Sequence, residues 1–443
     1  MNGTLAAADL ELLRKDFSAN PAYRIAQNAV TRVSINDVAI NREIVNNIDH
    51  SLSTHLDDWK VTNQERSGRC WLFAGLNLLR VGVMRKTGLK DFEFSQNYAM
   101  FWDKIERANY FLEAVIETAD RDVDDRTVAF LLESVAGDGG QWNMFAAIVA
   151  KHGLVPKNFM PETQSSANTG RMNSVLRYLL RQGARSVRGA IAAGGLEAAR
   201  TEKAEVLRAA YRVLCIHLGT PPERFDWQWT DKDREFHRDG VLTPQEFAAK
   251  YVDLPLDDYV CLVHDPRPAS PMGRTFTVEY LGNVLGGPPV TYLNVEMALI
   301  KKIAASTLKG GEPVWFGCDV DQMMSSDYAV WDVGLYDLPA VYDTEFTLDK
   351  ADRLAYHETL MTHAMLFTGV DVLDGVTRRW RVENSWGSER GKDGFYTMHD
   401  SWFDEYVFEI AARRSSLPED LQQTLEAKPI ILPAWDPMGA LAR

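Results

Sequence analysis

The chain has 443 residues, of which 46% are hydrophobic and 25% charged, a composition that can bury a large core. It contains no run of about 18 apolar residues, so the sequence predicts no transmembrane helix and no membrane partner. The net charge is -14 and the basic segments are short, which disfavours nucleic-acid binding. The opening MNGTLAAADLELLRKDF lacks the basic start of a secretory signal.

The four cysteines are scattered along the chain at Cys70, Cys215, Cys261 and Cys318. No CxxC pair occurs, so we predict neither a zinc site nor a disulfide framework, and we expect no metal or cofactor. Free thiols fit a reducing compartment, which predicts a cytoplasmic protein. Three of the four cysteines are expected to be small buried hydrophobes.

The first 60 residues predict an N-terminal extension of helix and irregular strand that packs on a catalytic core. At Asn63 the sequence changes to NQERSGRCWLF, in which Gly68 supplies a turn. Apolar residues then recur at i, i+4, i+7 and i+11, at Leu72, Leu76, Leu79 and Val83. This spacing predicts one face of a helix that begins at or near Cys70.

Residues 61–164 predict a helical lobe, interrupted by the glycine-rich GDGGQW at 137–142, which indicates a loop. Residues 165–290 are interpreted as a mainly helical insertion, with amphipathic stretches at about 170–183 and 195–218. Within it, Thr243 and Glu246 form a predicted capping box with Pro244 at the first helical position.

Residues 291–430 predict a β-rich lobe that begins with a helix over 294–308. Short apolar runs predict strands at 313–320, 363–372, 378–386 and 391–398. The last segment, residues 431–443, contains prolines and is expected to be extended; we call it the C-terminal arm. The predicted fold class is α+β with two lobes, one helical and one like a β-barrel.

Cys70 is the predicted nucleophile, because a helix N-terminus and a nearby imidazolium both lower a thiol pKa from its usual value of about 8.5. His363 opens a predicted strand and is the candidate base. Asn384, at the end of the next strand, would accept a hydrogen bond from the imidazole and fix its tautomer. Trp386 would shield that bond from water. Gln64 and the backbone N–H of Cys70 would hold an oxyanion.

Each of these residues also has a purely structural interpretation. Cys70 alone would more often be a buried structural cysteine, and His363 a hydrogen-bonded core histidine. His357 is a rival base six residues away, in a polar, helix-like stretch. The glycines of GDGGQW would also fit a plain tight turn, and the insertion is expected to be structural or oligomer-forming.

The runs NQERSGRCWLF, DGGQW, HAM and ENSWG, in this order, resemble the papain-like cysteine peptidases. More closely, the chain resembles their bleomycin hydrolase/aminopeptidase C branch, along nearly its whole length and including WDPMGALA near the end. The resemblance implies Gln64 as the oxyanion residue, Cys70 as nucleophile, His363 as base and acid, and Asn384 as orienter. Gly139 and Gly140 match the glycine pair whose backbone binds the substrate chain.

The spacing departs from the secreted members of the family. Cys70 and His363 are 293 residues apart, against roughly 130–150 in the secreted type. The predicted insertion accounts for the extra length. No room precedes Cys70 for a long inhibitory propeptide, so both departures favour the cytosolic branch.

The resemblance also implies a C-terminal arm that lies in the active-site cleft. Such an arm limits a substrate to its free N-terminal residue, which implies an aminopeptidase with Ala442 and Arg443 near the bound substrate. We hypothesise that the enzyme removes its own Arg443. Hydrolysis of bleomycin-type amides, peptide substrates with a free N-terminus and a homohexamer are implied as well. The competing hypothesis is an inactive or nucleic-acid-binding homologue that acts as an assembly module.

Overall fold

The computed structural model describes residues 3–56 and 59–442. The N-terminal extension contains α1 (Ala7–Ala19), α2 (Pro21–Val30), α3 (Ile35–Ala39), α4 (Arg42–Asn46) and β1 (Thr54–His55). The side chain of Asn20 accepts a hydrogen bond from the Ala22 backbone and so caps α2, which has proline at its first position. No residue of α1 is buried.

The helical lobe contains α5 (Cys70–Thr87), α6 (Gln96–Glu117), α7 (Arg126–Glu133), α8 (Trp142–His152) and α9 (Gln164–Ala167). Helix α5 begins at Cys70, as predicted, and its predicted apolar face is buried. It ends at Gly88, whose φ of 68° lies in the left-handed region that glycine adopts without strain. The loop 137–141 separates α7 from α8, again as predicted.

Residues 165–290 contain α10 (Gly170–Leu218), β2 (Phe225–Thr230), β3 (Phe236–Leu242), α11 (Pro244–Tyr251), β4 (Tyr259–Val263) and β5 (Arg274–Val278). Helix is the largest component, and the two predicted helices form one long element that is interrupted at Gly195. The capping box of Thr243 and Glu246 is confirmed. Strands β2 to β5 were not predicted, and the domain boundaries given above stay a prediction.

The remaining elements are β6 (Tyr292–Asn294), α12 (Met297–Lys309), β7 (Val314–Cys318), β8 (Met324–Ser325), β9 (Val330–Trp331), α13 (Leu338–Tyr342), α14 (Lys350–Ala355), β10 (His363–Leu373), β11 (Val376–Glu383), β12 (Phe395–His399), α15 (Asp400–Tyr406), β13 (Val407–Arg413), α16 (Glu419–Thr424) and β14 (Ile430–Leu432). The predicted helix and four strands are confirmed with small shifts of their ends.

The C-terminal arm begins extended in β14 but ends in a 3-10 helix, Pro437–Ala442, which the sequence did not predict.

Strands β2 and β3 pair only with each other, and the other strands form one large mixed sheet in the order β14-β5-β6-β4-β13-β7-β10-β11-β12-β9-β8, with β1 paired to β10. Helix α5 meets this sheet where Trp315 of β7 donates its indole N–H to the Trp71 carbonyl at 3.3 Å. Trp142 of α8 packs on Trp315, with ring centroids 5.9 Å apart. The fold is therefore α+β, with a helical lobe and a sheet lobe that meet beside the start of α5. No helix in the described ranges is long and apolar enough to cross a bilayer.

Candidate active site

Cys70 is the first residue of α5 and lies at the junction of the two lobes, where it is 3% exposed. The turn before it is fixed by Arg69, whose guanidinium binds both carboxylate oxygens of Glu162 at 3.0 and 2.8 Å. The backbone N–H groups at the start of a helix have no intrahelical acceptor. The N–H of Cys70 is therefore available for a ligand beside the thiol.

His363 and Asn384 are joined by a hydrogen bond of 3.0 Å between Nε2 and Oδ1. Because the amide oxygen can only accept, Nε2 carries the proton and Nδ1 keeps its lone pair. The backbone N–H of Ala364, the residue after His363, hydrogen-bonds the Cys70 sulfur. Helix α5 and strand β10 thus bring the predicted nucleophile and base together.

Trp386 lies beside this pair, with its ring centroid 5.1 Å from that of His363. It is half-buried, in the loop after β11 that also carries Asn384. The rival His357 is exposed and follows α14, with a φ of 62°. The fold therefore places His363, and not His357, at the start of β10 against α5.

Gln64 is buried and its side chain is held at both ends. Its Nε2 donates to the Ser67 carbonyl at 2.6 Å, and its Oε1 accepts from the Ser385 hydroxyl at 2.6 Å. The backbone N–H of Gln64 also donates to the Ser385 carbonyl at 2.8 Å. One hydrogen of the Gln64 amide remains for a ligand, and Ser385 is a supporting residue that the sequence analysis missed.

Burial acts against ionisation of both partners. It raises the pKa of Cys70 to about 11, although N–H groups of Ala364, Trp71 and Cys70 itself act in the opposite direction. Burial also lowers the pKa of His363 to about 4, partly offset by the bond to Asn384. Burial therefore opposes the expected lowering of the thiol pKa, which the N–H groups at the start of α5 favour.

Gly139 and Gly140 lie in the loop between α7 and α8, next to Trp71. A side chain at Gly140 would come within 2.4 Å of the Trp71 ring, so only glycine fits there. The carbonyl of Gly139 accepts a hydrogen bond from Arg107. That carbonyl is thus already bound to the protein, which the sequence did not indicate.

Asp138, which precedes the glycine pair, binds several segments that surround the site. The sequence analysis did not identify it. Its carboxylate accepts from Lys104 Nζ at 2.6 Å and from the Gly68 backbone N–H at 3.2 Å. Thr169 and Asn173 donate to it from the insertion at 2.5 and 2.7 Å. Lys104 is the main favourable charge that holds the pKa of this carboxyl far below its usual range despite burial. One carboxylate thus ties the turn before the nucleophile to the glycine loop.

The C-terminal arm is described as far as Ala442, the last residue of its 3-10 helix, while Arg443 lies outside the described residues. Met438 and Leu441 are buried, and the Met438 carbonyl accepts a hydrogen bond of 3.0 Å from the Tyr292 hydroxyl. Within residues 3–56 and 59–442, no group of three or more His, Cys, Asp or Glu side chains could hold a metal ion.

Comparison with known proteins identifies the family of this chain. Residues 4–439 match the Peptidase C1-like family. Human bleomycin hydrolase is 41% identical over 453 residues, which cover 100% of this chain and 99% of the relative. Aminopeptidase C of Lactobacillus delbrueckii subsp. lactis is 39% identical, with 100% and 99% covered.

The crystal structure of PepW from Lactobacillus rhamnosis superimposes with a TM-score of 0.97 at 42% sequence identity, covering 99% of this chain and 100% of PepW. A match of this extent includes the segment with Cys70, the strand that begins with His363 and the C-terminal arm up to Gly439. The chain therefore belongs to the Peptidase C1-like family of papain-like cysteine peptidases, in its bleomycin hydrolase/aminopeptidase C branch.

Proposed function

We propose that this cysteine peptidase is an aminopeptidase that works through an acyl-thioester on Cys70. The observation that carries the proposal is the His363–Asn384 hydrogen bond of 3.0 Å beside the first turn of α5. This bond leaves Nδ1 of His363 free to act as the proton acceptor for the Cys70 thiol. The relatives named aminopeptidase C support the same reaction.

In the first step, the Cys70 sulfur attacks the carbonyl carbon of the first peptide bond while His363 Nδ1 takes the thiol proton. Neither group carries a stable charge alone in this buried site, so proton transfer and attack are coupled. The carbonyl oxygen becomes an oxyanion, which the Cys70 N–H and the remaining N–H of Gln64 stabilise. Loss of one such donor typically slows catalysis by about 10²–10³-fold.

The tetrahedral intermediate then collapses. The C–N bond breaks, the proton on His363 moves to the departing amine, and the acyl group stays on Cys70 as a thioester. Water enters, His363 Nδ1 takes one of its protons, and the resulting hydroxide attacks the thioester carbon. The C–S bond breaks and the proton returns to the sulfur, which releases the N-terminal residue as a free acid.

The C-terminal arm is proposed to occupy the cleft and to limit cleavage to the first residue. The support is its burial against the loop before the glycine pair: Gly439 and Gly137 line the same small cavity. A carboxylate at the end of the arm would pair with the α-ammonium group of the substrate. Trp386 is proposed to shield the His363–Asn384 bond, and Gly140 to bind the substrate backbone.

The name bleomycin hydrolase of the human relative suggests a second substrate class. We propose that this chain also hydrolyses bleomycin-type amides, because an amide with a free amino group nearby presents the same features to the arm.

We also propose that Arg443 is removed by the enzyme itself. Intact-mass analysis should then show loss of Arg443 from wild type and not from Cys70→Ala.

The experiment that tests the main proposal compares three proteins: wild type, Cys70→Ala and a truncation after Leu432. Wild type should release residues one at a time from a free N-terminus and should not cleave the same peptide when it is N-acetylated. Cys70→Ala should be inactive on both, and the truncation should cleave the acetylated peptide internally. Strict N-terminal cleavage by the truncated protein would contradict the role given to the arm.

We propose a homohexamer in which the N-terminal extension contacts other subunits, in addition to the contacts expected of the insertion at 165–290. Helix α1 has no buried residue, and Leu12 and Leu13 are 66% and 50% exposed. Together with α2 and residues 341–344, α1 lines an open groove of about 600 Å³. Exposed leucines on a helix that buries no residue are what a contact between subunits would cover.

The assembly can be tested by light scattering, which should give six times the chain mass of 50.0 kDa. Changing Leu12 and Leu13 together to Asp should give smaller species, whereas Lys15→Ser on the same helix should not. A wild-type monomer would contradict the proposal.

The four cysteines are all free, which supports a reducing compartment such as the cytoplasm.

A further inference from the structure

The C-terminal arm is attached to the body by an ion pair between Asp436 and Arg267. The two carboxylate oxygens of Asp436 accept from Arg267 Nη2 at 2.9 Å and from Nη1 at 3.2 Å. The side chains are only 8% and 15% exposed, so solvent screens this pair weakly. Two parallel bonds between charged groups are stronger and more directional than neutral hydrogen bonds.

Arg267 is held in place by residues outside the arm. Asp265 binds the same guanidinium through Nε at 2.9 Å and Nη2 at 2.7 Å. The Ser270 hydroxyl donates to Asp265 at 2.6 Å, and Asn294 accepts from its backbone N–H at 2.9 Å. Arg267 therefore keeps its orientation when Asp436 leaves, and the arm docks on a preformed group.

Asp436 also sets the direction of the residues that follow it. Its Oδ1 accepts from the Met438 backbone N–H at 2.9 Å and so begins the final 3-10 helix. From there the Met438 carbonyl meets the Tyr292 hydroxyl, and Gly439 lies against Val278. The same carboxylate thus anchors the arm and aims its last turn.

The other polar contacts of the arm are weaker than this ion pair. Arg126 stacks on the Trp435 ring at 3.8 Å, and Tyr292 makes one neutral hydrogen bond. Strand β14 precedes the anchor and pairs with β5, so it holds the base of the arm and not its tip. Loss of the Asp436–Arg267 pair would therefore loosen the residues after β14, which the apolar packing of Met438 and Leu441 still holds, and would leave the sheet intact.

We infer that Asp436 and Arg267 are specificity-determining residues: their ion pair keeps the arm in the cleft and excludes peptides without a free N-terminus. The inference rests on the proposed role of the arm. When the pair is weakened, the arm leaves the cleft for part of the time, and N-terminally blocked peptides and internal bonds of unfolded chains become substrates. The chemistry at Cys70 is unchanged.

The test uses the full-length protein with Asp436→Asn, an isosteric change that removes the charge. The measured quantity is the ratio of kcat/KM for an N-acetylated decapeptide to kcat/KM for the same decapeptide with a free N-terminus. We expect this ratio to rise roughly tenfold. That change corresponds to about 1.4 kcal/mol in the equilibrium between the docked and the released arm. Glu426→Gln is the matched control, because its ion pair with Arg414 is exposed and distant from the arm tip; it should keep the wild-type ratio.

The truncation after Leu432 separates failure of this inference from failure of the proposed function. If the truncation cleaves the acetylated peptide and Asp436→Asn keeps the wild-type ratio, the ion pair does not set specificity and the inference is overturned. If the truncation also fails to cleave it, the arm itself has no such role. Should Asp436→Asn not fold, judged by iodoacetamide labelling of Cys70, Arg267→Lys replaces it. That variant keeps the charge but not the two parallel bonds, and an unchanged ratio there also overturns the inference.

Discussion

Arg80 and Glu383 form a buried ion pair that joins the helix of the predicted nucleophile to the strand that ends before Asn384. Arg80 Nη2 and Glu383 Oε1 are 2.9 Å apart, and each side chain is 1% exposed. Asn77, on the same helix, donates to the same carboxylate at 2.9 Å. The relative position of Cys70 and Asn384 therefore depends on one carboxylate inside the protein.

Replacing Glu383 by Gln should destabilise the protein strongly, because the Arg80 guanidinium would stay buried without an anionic partner. Breaking one side of a buried pair costs about 3–5 kcal/mol. Denaturant titration of the assembled protein measures the loss. Asp226→Asn is the control, since its ion pair with Arg238 is about half exposed and should matter little. Equal shifts for the two variants would contradict the importance of burial here.

The pH dependence of Cys70 alkylation should reveal His363 as its base. The pKa of His363 is lowered to about 4, so the imidazole stays neutral and able to take the thiol proton down to about that pH. We expect the alkylation rate with iodoacetamide to be level near neutrality and to fall as the pH drops through 4.

In His363→Ala the thiol titrates alone, with its pKa raised to about 11 by burial. Its alkylation should be slow at pH 7 and should rise continuously toward high pH. Mass spectrometry of the labelled peptides follows Cys70 separately from the other three cysteines. A His363→Ala protein that reacts at the wild-type rate at pH 7 would refute the assignment of the base.

Asp138 is a positioning residue, and Asp138→Asn should lower kcat/KM through both the turn before Cys70 and the glycine loop. We expect a fall of roughly 10- to 100-fold, in the range seen for residues that orient catalytic groups. If Asp138 served only the fold, a second substitution that restores the stability of Asp138→Asn would restore its activity as well. Adding Lys104→Met removes the ammonium group left without an anionic partner, so it should restore the melting temperature but not kcat/KM. Recovery of both would show that Asp138 serves stability alone.

Glu409 should make the stability of the protein depend on pH. It is 0% exposed, and neither carboxyl oxygen has a hydrogen-bond partner within residues 3–56 and 59–442. The neighbouring Cys261 thiol instead donates to Asn143 at 3.0 Å. Burial raises the Glu409 pKa from 4.5 to about 8. Between these values the folded protein holds a proton that the unfolded chain has lost, so stability falls as the pH rises from 4.5 to 8 and levels off above 8.

Glu409→Gln mimics the protonated form at every pH. Its stability relative to wild type should therefore increase from pH 5 to pH 8, by up to about 1.4 kcal/mol per pH unit. Thermal unfolding at a series of pH values measures the difference. A difference that does not change with pH would mean that Glu409 titrates normally in the folded protein.

The local features of the site could be predicted from the sequence because their signals are local. The apolar spacing after Cys70 gives the helix and its first residue, and the β-rich run after His363 gives the strand. The pairing of His363 with Asn384 follows from two neighbouring strands, and the structure has the predicted bond. The role given to Gln64 was proposed from its place shortly before Cys70, and the resemblance to the family implies the same role.

What could not be predicted depends on contacts between distant parts of the chain. Asp138 binds residues 34 and 31 positions away on either side, and nothing in GDGGQW indicates those partners. Strand β4 is short and pairs with β13 on one side and β6 on the other. These partners are distant in sequence, so the sequence of β4 alone does not indicate a strand. The raising effect of burial on the thiol pKa could not be predicted for the same reason, because burial of Cys70 is a property of the assembled lobes.

The position of β13 bears on when the protein can fold during its synthesis. This strand, residues 407–413, lies between β4 and β7 in the middle of the large sheet. A ribosome that has completed both neighbours still lacks the strand that joins them. The sheet lobe therefore cannot close until residues 407–413 have left the exit tunnel. The order of strands thus delays completion of the sheet until β13 has been made, whatever the folding rate of the helical lobe.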